Sequence, residues 1–238
     1  MFLFTSVLFN VLLILILCLK TDLCEKALAK IGLKDYDYLG VRHQIEYRCL
    51  EGWANCLNKQ NASIDVVFYG NSITYESNFQ DLFSELNICN LGCNRDDLDD
   101  LIHRSFIIKG IHPKKIFVLG GINNFISISL QEFNHKYSIL VDTLLAQNPS
   151  SQLYLQSLLP VNVEMELGSR YIDCQEKIKD ANKIIKTISQ SRGCHFVDLY
   201  SAYQVNDSLP RKYTRDGLHL LPYAYAIWAE AITSHLQE

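Results

Sequence analysis

Proline and glycine are scarce, at 5 and 11 of 238 residues, which excludes collagen-like repeats and low-complexity chains. No Lys/Arg-rich run occurs, and 22 basic against 26 acidic residues give a formal net charge of -4. That balance leaves no electrostatic footprint for a phosphate backbone, so nucleic acid is not an expected partner. No internal repeat, low-complexity tract or linker divides residues 25–238, which read as a single domain. The cysteines at 18, 24, 49, 56, 89, 93, 174 and 194 lack the spacing of a disulfide framework or of paired CxxC zinc knuckles. Buried free thiols are the expectation. Cys49 and Cys56 fall in one helical segment ~10 Å apart along its axis, beyond the ~7 Å Cα reach of a bridge. The histidines at 43, 103, 112, 135, 195 and 235 share no ligand spacing, so no metal and no cofactor is expected.

What is abundant comes first in the chain. Residues 1–19, MFLFTSVLFNVLLILILCL, carry no charge and are almost wholly apolar until Lys20-Thr21-Asp22. The length falls between the apolar core of a signal peptide and a full bilayer span. Residues 1–24 therefore read as either a signal peptide or an uncleaved anchor that tethers the chain through residues 1–20. Either reading implies export to a periplasmic, secreted or membrane-anchored location. No Lys or Arg precedes the run and no A-x-A-like site follows it. Cys18 and Cys24 each follow Leu, not the small residue expected of a lipid-attachment site. Asn61-Ala62-Ser63 and Asn206-Asp207-Ser208 fit the N-glycosylation triplet.

Beyond the leader, Ile45, Cys49, Trp53 and Cys56 or Leu57 recur at helical spacing. Then β-rich apolar runs at 65–69, 87–91, 115–119, 152–156 and 195–199 alternate with helical periodicity near 76–86, 96–108, 130–147, 171–191 and 222–236. Strands separated by 20–40 residues containing a helix need crossovers, which dictates a parallel sheet covered on both faces. The expected architecture is α/β, a three-layer α/β/α domain. In such sheets ligands sit beyond the carboxyl ends of the strands.

Those ends carry the chemistry. The first strand runs into Gly70-Asn71-Ser72-Ile73-Thr74, so Ser72 stands just past it, either as a helix cap or as a nucleophile. Thr74 occupies the place of the second glycine of a G-x-S-x-G elbow, which disfavours the ordinary α/β-hydrolase pattern. The second strand ends in Asn90-Leu91-Gly92 and the third in Gly120-Gly121-Ile122-Asn123-Asn124. The backbone N–H groups of Ser72 and Gly92 with the Asn123 amide could form an oxyanion hole. Asp96, Asp97, Asp99 and Asp100 read as a carboxylate-rich first helical turn that complements the helix dipole. Near the C-terminus, Asp216-Gly217-Leu218-His219 places a carboxylate three residues before an imidazole. A serine hydroxyl needs such a base, and the base needs a carboxylate to fix its tautomer.

These four blocks, in this order, resemble those of the SGNH or GDSL-type esterases and acylhydrolases over roughly residues 64–235. Leu155-Gln156-Ser157-Leu158-Leu159-Pro160-Val161-Asn162 is similar to a segment of the branch typified by platelet-activating-factor acetylhydrolase. The resemblance implies a five-stranded flavodoxin-like sheet and hydrolysis of small acyl esters without a metal. It further implies a Ser72, Asp216 and His219 triad, and an oxyanion hole of Ser72, Gly92 and Asn123. Asn71 and Asn124 stand where the family usually has Asp, and are assigned to the substrate pocket. Arg95 stands where a second glycine is frequent, and either narrows the pocket or meets an anionic substrate. The expected substrate is a short acyl ester, with an acetylated sugar favoured. O-acyl transfer by the same triad and a silent carbohydrate-binding module are the alternatives.

Overall fold

The computed structural model describes residues 38–60 and 62–237. The leader, the sequon at Asn61 and two cysteines, Cys18 and Cys24, lie outside the described residues. Among the described residues, no helix is long and apolar enough to cross a membrane.

Five parallel strands form one sheet: β1 (Val66–Gly70), β2 (Ile88–Gly92), β3 (Lys115–Leu119), β4 (Gln152–Gln156) and β5 (His195–Val197), in the order β2-β1-β3-β4-β5. Each begins within a residue of its sequence expectation. β1 and β3 are buried at every position, as a sheet covered on both faces requires. Their register aligns Phe68 with Phe117, Phe117 with Tyr154 and Tyr154 with His195. Neighbouring rings in this ladder stack at centroid distances of 5.3, 4.4 and 4.5 Å. His195 thereby has a packing role.

The helices are α1 (Tyr38–Lys59), α2 (Ser72–Tyr75), α3 (Phe79–Leu82), α4 (Leu98–Arg104), α5 (Phe106–Lys109), α6 (Leu130–Gln147), α7 (Gln175–Ser191), α8 (Leu199–Tyr203) and α9 (Tyr225–Gln237). α4, α6 and α7 pack in series as one layer, while α3, α9 and α8 form the other. α6 and α7 match the expected periodic segments closely. Of the helix expected near 76–86, only the short α3 forms, separated from α2 by residues 76–78. The Asn90 side chain, projecting from β2, donates to both Thr74 O and Ser77 O, at 2.9 and 3.0 Å. Carbonyls at the end of α2 are thus satisfied without continuing the helix.

The expected apolar face of α1 is also corrected. Ile45 and Trp53 are 56% and 68% exposed, and Cys49 and Cys56 are exposed free thiols, in contrast to the buried Cys89 and Cys93. Leu57, one of the two alternatives at the last expected position, packs on the core together with Leu50 and Ala54. That orientation also lets the Tyr47 hydroxyl donate to Asp96 Oδ1 at 2.9 Å.

Asp96 does not belong to the first turn of α4. It is buried and ion-paired with the buried guanidinium of Arg104, while Asp97 is the N-cap, in a reciprocal capping box with Asp100. Arg104 also donates to Gly70 O at 2.9 Å and lies 4.3 Å from the Tyr69 ring centroid. Breaking a buried pair leaves an uncompensated charge, so Asp96→Asn is expected to cost about 3–5 kcal/mol. Thermal and urea unfolding measure it, and a melting temperature lower by roughly 10 °C is expected. A loss below about 1 kcal/mol would contradict a bracing role for the pair.

Candidate active site

β1 delivers the chain to Asn71, which caps α2: its Oδ1 accepts from Ile73 N–H at 3.1 Å. Ser72 is therefore the first helical residue, with a backbone N–H that has no intrahelical partner. The cap explanation offered by the sequence for Ser72 belongs to Asn71. Tyr225, from α9, fixes the same turn by donating its hydroxyl to Ile73 O at 2.6 Å.

On the other side of the rim, Thr214 and Leu220 pair across a tight loop. Inside it, Asp216 Oδ1 accepts from Leu218 N–H at 2.9 Å and His219 N–H at 2.8 Å. Gly217 takes φ +93°, and a Cβ there would lie 2.5 Å from Asn162 O, so only glycine fits. Asn162 in turn donates its N–H to Gly217 O at 2.8 Å, and the segment after β4 thus holds the loop.

The two sides meet through side chains. Ser72 Oγ lies 3.0 Å from His219 Nε2, and His219 Nδ1 lies 2.8 Å from Asp216 Oδ2. An ionised carboxylate can only accept, so the proton sits on Nδ1 and Nε2 presents a lone pair to the hydroxyl. Burial pushes the Asp216 carboxyl up, but the N–H groups of His219 and Leu218 and the imidazole itself outweigh it, and the group is held below its ordinary range. A hydroxyl so placed can transfer its proton to the ring as it attacks an electrophilic carbon.

The expected oxyanion donors are not equivalent. Asn123 Nδ2 donates to Asp96 O at 2.8 Å, which orients the amide and leaves its second N–H available. Gly92 N–H is engaged by Asn90 Oδ1 at 2.8 Å. What requires glycine at 92 is packing: a Cβ would lie 2.2 Å from Tyr75 N. Asn71 and Asn124, assigned to the pocket from the sequence, are corrected to buried framework residues. Asn71 Oδ1 serves the α2 cap, and Asn124 Oδ1 accepts from Leu98 N–H at 2.8 Å, tying the β3 loop to α4. Arg95 is exposed and adopts φ +67°, a conformation that favours glycine.

Sequence reasoning missed Asn90, Arg104, Asn162, Arg215 and Glu76. Arg215 Nη2 donates to Glu76 Oε1 at 2.7 Å, and its Nε lies 3.2 Å from Asp216 Oδ2. Among the described residues, no three His, Cys, Asp or Glu side chains cluster as a metal site.

The model of the GDSL-like lipase/acylhydrolase family matches residues 68–227. The chain matches no curated protein at the sequence level. Its structure is similar to that of a Streptococcus pneumonia protein described as a platelet activating factor, at 23% identity and a TM-score of 0.72, over 83% of this chain and 96% of the other. A GDSL-like lipase of Bacteroides thetaiotaomicron is similar at 21% identity and 0.65, over 73% and 87%. An acetyl xylan esterase variant of Geobacillus stearothermophilus is similar at 16% and 0.59, over 73% and 94%. At these identities the likeness establishes the fold.

The depressed Asp216 value gives a pH prediction whose sign is fixed. A carboxyl with a lower value in the folded state stabilises the fold fully above its unfolded value of ~3.9, and that contribution is lost as pH falls through the folded value. Asp216→Asn is therefore expected to lower stability near neutral pH, with the gap to the parent closing below about pH 4. Urea unfolding at several pH values measures it, and a gap independent of pH would contradict the assignment.

Proposed function

This chain belongs to the GDSL-like lipase/acylhydrolase family, and on that premise we propose that it is a serine esterase that cleaves short acyl esters through an acyl-enzyme on Ser72. The observation that carries the reading is the continuous relay from Ser72 Oγ through His219 to Asp216, at 3.0 and 2.8 Å.

In this mechanism His219 Nε2 takes the Ser72 proton as Oγ attacks the ester carbonyl. Asp216 stabilises the imidazolium that forms. The Ser72 N–H and the remaining Asn123 N–H hold the oxyanion, and Gly92 would join them only if Asn90 released it. His219 then protonates the departing alcohol, and water, deprotonated by the same ring, hydrolyses the acyl-Ser72 ester. An acetyl group, carried on a carbohydrate, is the substrate we favour, by analogy with the acetyl xylan esterase neighbour. Action outside the cytoplasm is the matching location, given the apolar residues 1–19.

The test is burst kinetics of the purified chain with p-nitrophenyl acetate and longer-chain analogues. The expected result is a burst that falls with chain length and is abolished in Ser72→Ala. Steady-state kcat is expected to fall by roughly 10⁴-fold or more in His219→Ala and by about 10²–10³-fold in Asn123→Ala. With an acceptor alcohol present, hydrolysis yields only free acid, whereas acyl transfer yields an acylated acceptor. A folded parent that releases no chromophore from any of these esters would overturn the general esterase reading.

A further inference from the structure

Arg215 and Glu76 are charged residues that the mechanism above does not use. They lie 139 positions apart in sequence yet meet beside the triad. Glu76 caps the C-terminus of α2, its N–H donating to Ser72 O at 3.0 Å, so it belongs to the same short helix as the nucleophile. Arg215 directly precedes Asp216. Its guanidinium spans both elements, 2.7 Å from Glu76 Oε1 and 3.2 Å from Asp216 Oδ2. That Asp216 oxygen is the one facing His219 Nδ1, so a guanidinium and an imidazole share it.

Tyr225, packed from α9, lies within electrostatic range of both Glu76 and Arg215, and burial, the largest influence on it, keeps its phenol protonated. The N–H groups of Leu167 and Gly168 donate to the Asp216 carbonyl. Among the described residues, the charged groups linked to His219 through Asp216 are Arg215 and Glu76. A cation on Asp216 Oδ2 competes with the imidazole for the same carboxylate oxygen. Glu76 offsets that cation and holds it to one side.

We propose that Arg215, held by Glu76, is a positioning residue: a charge-balanced strap that ties the nucleophile's helix to the Asp216 carboxylate and sets the pH at which His219 becomes an effective base. The proposal rests on the reading of Ser72, His219 and Asp216 as the triad.

Two variants of one ion pair then act in opposite directions, which loss of a merely structural contact would not produce. Arg215→Gln removes the cation, and the acid limb of the kcat/KM profile is expected to move up by about half a pH unit. Glu76→Gln leaves the cation uncompensated, and the limb is expected to move down by a similar amount. Arg215→Lys keeps the charge and is expected to restore the parent profile. Because the pair is partly exposed, kcat is expected to fall by no more than about 5-fold in any of the three.

The profile is measured with p-nitrophenyl acetate on the full chain, with circular dichroism melts on each variant. In parallel, the His219 imidazole is titrated by NMR, its resonance assigned by comparison with His219→Ala. Opposite displacements of the Arg215→Gln and Glu76→Gln midpoints support the strap. Midpoints that stay with the parent, or that move in the same direction, overturn it. A parent without Ser72-dependent turnover overturns the esterase reading instead, and the NMR midpoints still decide the strap.

Discussion

A guanidinium with no solvent contact sits where β1, β2 and α4 converge, and the candidate site is built around it. Arg104 binds the last carbonyl of β1, at Gly70, and the carboxylate of Asp96 in the loop after β2. The Asp96 carbonyl then accepts from the Asn123 amide in the loop after β3. Three adjacent strand ends are thus joined by one cation and one aspartate. A charge can be kept there only if its partners hold their geometry, because a lost partner leaves a desolvation cost of several kcal/mol. These contacts brace the rim, and Ser72 lies two residues beyond Gly70.

The opposite half of the site uses backbone instead of charge. Asp216 is oriented by two N–H groups of its own loop, and that loop is closed onto the segment after β4 through Asn162 and Gly217. The carboxylate thus meets His219 already oriented, and the imidazole spans from this loop to the hydroxyl at 3.0 Å. A rigid nucleophile and a rigid base that approach from separate elements need little reorganisation to react. This is the physical content of the esterase proposal.

The sheet was legible in the sequence because fully buried parallel strands leave short β-rich runs, and crossovers space them widely. Ser72, Asn123, Asp216 and His219 were legible because each follows a strand or precedes a helix on one rim. The parts that were not legible depend on contacts between distant residues. α1 carries two apolar stripes, and the one that faces inward is fixed by contacts with residues distant in sequence, among them Tyr47 on Asp96 and Glu46 against Cys93. Asp96 is indistinguishable in sequence from the capping carboxylates beside it until Arg104 folds over it. Asn71 and Asn124 sit at the rim as expected, but their oxygens go to backbone N–H groups. The Gly92 N–H meets Asn90, two residues away, through a strand-end side-chain turn that periodicity does not register. Arg215 and Glu76 pair across 139 residues, which no local pattern encodes.

The central claim is that the Ser72 hydroxyl is the activated nucleophile. Covalent trapping tests it most directly: the chain is incubated with a fluorophosphonate probe, digested, and the adduct mapped by mass spectrometry. The account expects one adduct on Ser72, absent from Ser72→Ala and formed far more slowly in His219→Ala. An adduct on a different residue, or none on a folded chain, would contradict it.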